Sequence, residues 1–225
     1  MELDMDDLDP AEVARVANRL GTTEDAGLAA LMGDAGWQRL QELSAAADIP
    51  IANYAAYEPW FAALAVEQLL MQREGFEAAL GVEAHFVARA AADGKPIAGL
   101  ETVAGQLGIL DALPLATQRE LLLELVAESD AFPGRIGRLL AAWRRGDTAG
   151  LEASLLEDLE QRPKLYDALV RRRNRAWLGE IEALLDDDDD YLVVVGTLHL
   201  VGDDGLPALL AARGFPVEQV TRSGR

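Results

Sequence analysis

The chain contains two histidines and no cysteine, so imidazole chemistry has two candidates and thiol chemistry has none. His199 is the better placed of the two. It follows the β-branched run 191–195 by four residues, after Gly196, whose backbone is free to turn. In a parallel sheet, ligands bind outside the carboxyl ends of the strands, so His199 is aimed at the place where a site would be. A loop histidine can equally be hydrogen-bonded for structure alone. Glu101 ends a second short apolar stretch, 95–100, directly before Thr102, which can cap a following helix. If the two stretches are parallel strands, Glu101 and His199 emerge on one edge. There a carboxylate and an imidazole can ligate a divalent metal or act as a general acid–base pair. The plainer alternative is a carboxylate favoured by the dipole of its own helix.

Other residues are weighed in the same way. Arg173 precedes Asn174 and Trp177 in a long helical stretch. A buried guanidinium there would clamp a carboxylate through two hydrogen bonds, whereas a surface arginine would only be solvated. Gln106, about one turn after Glu101, either binds substrate or packs. His85 lies mid-helix; Glu83, two residues away, cannot share its face, and Arg89, four residues on, does, which gives His85 a surface or packing role. Trp60 reads as a core anchor. The five acids at 186–190 oppose the dipole of the helix they follow and lack the spaced ligands and glycine turn of a calcium loop, so they read as a solvated loop. Asp203 and Asp204 stand at the amino end of the last helix, where they cap it and fix the loop carrying His199.

These side chains must be positioned by a chain in which helical periodicity dominates. Helices are expected over 37–47, over 59–73 with Pro59 in the first turn and Gly75 as stop, and over 83–92 before Gly94. Four or five more are expected between Thr102 and Leu185, broken at Pro114, Pro133-Gly134, Gly146-Asp147 and Pro163. Strands are expected at 95–100, 191–195 and 215–220, with a helix over 204–212 between the last two. Strand, loop, helix and strand form a βαβ unit, which requires a parallel sheet. The expected fold class is therefore α/β: a small, mostly parallel sheet with a large helical layer or lobe and a carboxyl-terminal βαβ unit. Glu2-Leu3-Asp4 reads as the acidic end of a further strand whose apolar body would lie upstream.

Composition narrows the function classes. The 225 residues carry 39 acidic and 20 basic side chains, a net charge of −19 that repels a phosphate backbone and makes nucleic acid a poor partner. Half the residues are apolar, enough for a folded core in one domain. No apolar run approaches the roughly 18 residues a membrane helix needs, and the opening residues are not those of a signal peptide, which reads as cytoplasmic for the chain as written.

The ordered series of motifs resembles the TraB/GumN family. Residues 193–206, which read Val-Val-Val-Gly-Thr-Leu-His-Leu-Val-Gly-Asp-Asp-Gly-Leu, are similar to its carboxyl-terminal signature. Gly81-Val82-Glu83-Ala84-His85 leading to Gly94-Lys95-Pro96-Ile97, Leu100-Glu101-Thr102 with Gln106, Glu58-Pro59-Trp60, and Arg173-Asn174 agree in order along essentially the whole chain. The resemblance extends to the TIKI metalloproteases and to erythromycin-esterase and ChaN-like proteins. It implies two GxxH motifs on neighbouring strands, an early glutamate, an arginine and, in the proteases, a divalent metal. Gly196 and His199 match the second GxxH motif, Glu2 the early glutamate, Glu101 the glutamate of the Leu-Glu-Thr block, and Arg173 the arginine. The first GxxH motif has no counterpart, so the chain is expected to be a single domain over 1–225, truncated at its amino terminus, with a helical insertion at about 105–187.

What the resemblance implies is a metal-dependent, peptidase-like hydrolase using manganese, cobalt or zinc on a small-molecule or peptide substrate. His199, Glu2 and Glu101 would be the ligands or acid–base groups, and Arg173 would orient substrate. With one motif missing, metal binding and turnover are expected to be weak. The competing expectation is a noncatalytic cell-envelope protein that holds a peptide, pheromone or haem, in which case the full-length form would be periplasmic or envelope-bound. A third is a fragment without a function of its own.

Overall fold

The computed structural model describes residues 1–2, 9–23, 26–160 and 162–220. The chain divides into two compact units, one of Leu3–Pro133 and one of Met1–Glu2 with Gly134–Arg225.

In the Leu3–Pro133 unit the helices are α1 (Pro10–Gly21), α2 (Gly27–Met32), α3 (Asp34–Ala46), α4 (Pro59–Arg73), α5 (Val82–Asp93), α6 (Val103–Asp111) and α7 (Leu115–Ala127). Local chemistry sets several of their ends. Asp9 accepts a hydrogen bond from the Ala11 amide (3.0 Å) at the start of α1, and proline occupies the first turn of both α1 and α4, where its missing N–H costs nothing. Thr102 Oγ1 accepts from the Gly105 amide (3.1 Å) and opens α6. Helix α7 packs against α3 and α4, and α1 against α6. The interior is apolar: Leu28, Leu40, Trp60, Ala62, Val66, Leu122 and Val126 are all buried. Gly21 at the end of α1 is required by packing, because a Cβ there would lie 2.3 Å from Phe61 Cγ.

The unit containing Gly134–Arg225 holds most of α8 (Phe132–Arg145), then α9 (Thr148–Glu160), α10 (Pro163–Tyr166), a π-helical turn at Asp167–Arg171 that runs into α11 (Arg172–Leu185), and α12 (Leu206–Ala212). Its apolar centre has two parts. Ala142, Leu151 and Val201 form one buried cluster, flanked by Leu139 and Leu155. Val170, Trp177, Leu178 and Ile181 line the buried face of the π turn and α11.

The expected parallel sheet does not form among the described residues. Among the described residues there is no strand, only isolated bridge positions such as the antiparallel pair Thr22–Tyr57 and Glu101, and the fold is all-helical rather than α/β. Segments 95–100, 191–195 and 215–220 form no strand, so the carboxyl-terminal βαβ unit is reduced to its helix, α12. The physical reason is that β-branched composition favours an extended backbone but does not supply a neighbour, and strand stability comes from cross-strand pairs. Burial agrees with this: Tyr191 and Leu192 are 48% and 64% exposed, whereas a central parallel strand is covered on both faces. Met1 and Glu2 are not in a strand either, and the Leu3 and Asp4 part of that expected element lies outside the described residues.

Candidate functional site

The second unit brings together three of the residues singled out from sequence: Glu2, Arg173 and His199. His199 closes a short 3-10 turn, Thr197–His199, with Gly196 at its amino-terminal cap position. Its side chain is buried, with only 3% of the residue exposed. Arg173, Asn174 and Trp177 come from the first turns of α11. Spacings of three and four residues put Asn174 and Arg173 each next to Trp177 on one helix face. The preceding π turn widens the backbone where these side chains are presented, a feature that recurs at functional sites.

Hydrogen bonding fixes the state of the imidazole. The Asn174 amide nitrogen donates to the Asp204 carbonyl (2.7 Å) and lies 3.4 Å from the His199 carbonyl, so the Asn174 oxygen faces the ring, 2.6 Å from Nδ1. An oxygen acceptor there requires the proton to be on Nδ1, an assignment made from the partners. Nε2 is then a bare lone pair, and Arg173 Nη1 donates to it at 2.9 Å. The guanidinium also donates from Nη1 to the Leu169 carbonyl (3.2 Å) and from Nη2 to Glu2 Oε1, while Glu2 Oε2 accepts from the Gly196 amide (3.1 Å). Arg173 lies over the Trp177 ring, 4.8 Å from its centroid, and that ring stands 4.6 Å from the imidazole. Burial and the neighbouring Arg173 charge, partly offset by Glu2, lower the His199 pKa from 6.5 to about 4. The ring is therefore neutral at physiological pH.

A second layer holds this arrangement. Asp204 accepts from Arg171 Nε (3.0 Å) and from the Tyr166 hydroxyl (3.3 Å), and its other oxygen is 3.5 Å from Arg175. Asp204 thus ties the loop after His199 to α10, the π turn and α11, the loop-fixing role expected of it, while Gly205 is the residue at the amino end of α12. Gly205 is required there because a Cβ would lie 2.7 Å from the Val201 carbonyl oxygen.

The fourth residue singled out from sequence is Glu101. It belongs to the Leu3–Pro133 unit, directly before the Thr102 cap of α6. His85 is exposed on α5 with its ring edge-on to Phe86, in keeping with a surface role. The importance of Asn174 was missed in reading the residues for chemistry. Its signal was positional: Val170, Asn174, Trp177, Leu178 and Ile181 form one buried stripe, and a polar residue in such a stripe needs a partner.

The divalent metal implied by the resemblance does not fit the residues as placed. The one free lone pair of His199 accepts from a guanidinium, both Glu2 oxygens accept hydrogen bonds, and the described residues contain no group of three histidine, cysteine, aspartate or glutamate side chains able to hold an ion. What the arrangement offers instead is a neutral imidazole of fixed tautomer, beside a guanidinium and a backbone N–H that together hold a carboxylate.

Comparison with known proteins agrees with the motif series. The chain is 26% identical over 173 residues to the uncharacterized protein YbaP of Escherichia coli (strain K12), a match covering 77% of this chain and 64% of that protein. The Shigella flexneri protein of the same name matches to the same extent. The chain thus spans less than two thirds of the length of these relatives. No solved structure matches. The sequence model of the TraB/PrgY/gumN family matches residues 1–219, including every residue of the buried cluster, and the chain belongs to that family.

Proposed function

We propose that the protein is a peptidase-like hydrolase whose chemistry centres on His199. The observation that supports this reading is the buried imidazole, kept neutral and with its proton on Nδ1, whose unprotonated Nε2, now accepting from Arg173, is the atom that can accept a proton. A water molecule reaching Nε2 after a shift of the guanidinium would lose its proton to the ring as it attacks a carbonyl. Arg173 would then face the developing oxyanion or a substrate carboxylate, as it now faces Glu2. Asn174 keeps the ring in the productive tautomer throughout.

The test is hydrolysis of peptide and ester libraries by the full chain and its variants. His199→Gln should lower the rate about 100-fold or more while circular dichroism stays unchanged. Arg173→Lys should lower it by about 100-fold or more through loss of the fork geometry. A His199→Gln protein that keeps its activity overturns the proposal.

One observation favours a noncatalytic reading. Both ring nitrogens of His199 and both oxygens of Glu2 already have hydrogen-bond partners, as in a cluster built for holding rather than turnover. Retention of a carboxylate-bearing peptide with no product formed would favour that reading. Among the described residues no helix is long and apolar enough to cross a membrane.

A further inference from the structure

We infer that the Arg173 guanidinium occupies the position a first-row divalent cation would need beside His199, so that this cluster excludes Mn²⁺, Co²⁺ and Zn²⁺ for as long as the guanidinium is present. A metal ion binds imidazole along the lone pair of an unprotonated nitrogen, at about 2.0–2.1 Å for zinc. Only Nε2 has that lone pair, and Arg173 Nη1 lies 2.9 Å from it with a proton directed at it. A second cation cannot share that direction.

The ring has no easy way to offer its other nitrogen. Nδ1 faces the Asn174 oxygen, and turning the amide over would take its nitrogen away from the Asp204 carbonyl, 2.7 Å away. Asp204 is in turn held by Arg171. Nor can the carboxylate draw the guanidinium off the ring, because Glu2 already bonds it from the other side. The Arg173 guanidinium carbon lies 4.8 Å from the Trp177 ring centroid, and a methionine in its place removes the charge while offering the indole an unbranched apolar side chain. Without the guanidinium, the His199 Nε2 lone pair becomes available to zinc beside the Glu2 carboxylate. This inference concerns occupancy of the cluster and is independent of turnover.

The two histidines make the test simple, because His85 is exposed and serves as an internal control. The full chain, with ring nitrogens labelled with ¹⁵N, is titrated with zinc chloride at neutral pH and followed by NMR. In the wild type the His85 ring signals should respond to zinc while those of His199 stay fixed up to about 1 mM. In Arg173→Met the His199 Nε2 signal should move at a zinc concentration at least tenfold lower than any that moves it in the wild type. In Arg173→Lys, which keeps a cation, it should stay fixed. A wild-type His199 signal that shifts with or before that of His85 overturns the inference, and this titration decides the matter alone if Arg173→Met does not fold. A folded Arg173→Met protein whose His199 remains indifferent to zinc overturns it equally.

Discussion

Buried Gln118 and Ser129 in the Leu3–Pro133 unit bond to backbone close by in sequence, whereas the side chains around His199 bond to one another across long stretches of chain. Gln118 donates to the carbonyls of Asp111 (3.1 Å) and Leu113 (2.9 Å), and Ser129 to that of Val126 (2.8 Å), each within a turn or two. Arg173 instead reaches Glu2 across 171 residues of sequence, and the His199 ring reaches Asn174 across 25. Bonds of the first kind form wherever the local helix ends form. Those of the second kind exist only once the whole unit has folded, and side-chain to side-chain bonds are the minority class in proteins. The difference indicates which interior is organised for packing and which for holding specific groups in register, since a buried network is costly unless every member is satisfied.

The largest effects should come from the two indoles, one in each interior. Trp60→Ala and Trp177→Ala should each lower unfolding free energy by about 3–5 kcal/mol in urea titrations. The second should also move the His199 ring resonances, since the Trp177 ring lies 4.6 Å from the imidazole. Equal stability losses with an unmoved His199 would break the comparison.

Acid sensitivity comes next. The His199 pKa falls from 6.5 to about 4 on folding, so the folded state favours the neutral ring and the unfolded chain binds the proton first. The contribution is complete above pH 6.5 and is lost progressively as pH falls towards 4, a swing of about 3 kcal/mol. Denaturant titrations at steps between pH 7 and pH 4 should show this loss in the wild type and a flatter profile in His199→Gln. Parallel profiles would mean that the ring is not held neutral by its surroundings.

A smaller contrast separates two amides. Asn174→Leu leaves the Nδ1 proton of His199 and the Asp204 carbonyl without a partner and should cost about 1–3 kcal/mol. Gln118→Met removes two bonds to helix-end carbonyls, while the Gln118 oxygen has no hydrogen-bond partner to lose, and it should cost about 1 kcal/mol. If Gln118→Met were the more damaging, the distinction between the two interiors would fail.

Helices with strong end signals were legible in the sequence. The stretch 59–73 was bounded correctly by its opening proline, and 83–92 was extended by only one residue at each end, to Val82–Asp93. Helices α1 and α2 were not read, although Asp9 and Pro10 offered a cap and a first-turn proline. The three strands failed for a different reason: periodicity and β-branching are local, while pairing is a property of two segments at once. The site divides along the same line. Gly196 and His199 announced themselves by spacing, Arg173 by its place in a helix where a buried guanidinium would clamp a carboxylate, and Glu2 became a site residue only through the resemblance. That they meet, that Asn174 sets the tautomer and that Glu101 belongs to the other unit all depend on contacts no short window contains.

The run 186–190 has a consequence for the bare stretch that follows it. A β-branched apolar segment that pairs with no strand and leaves Tyr191 and Leu192 open to solvent is the kind of stretch on which further copies could stack into aggregates. Five carboxylates immediately before it act as gatekeepers: any copy laid alongside brings its own row of negative charge, and the repulsion grows with each addition. Added salt screens that repulsion, so the molecule's colloidal stability should fall as ionic strength rises.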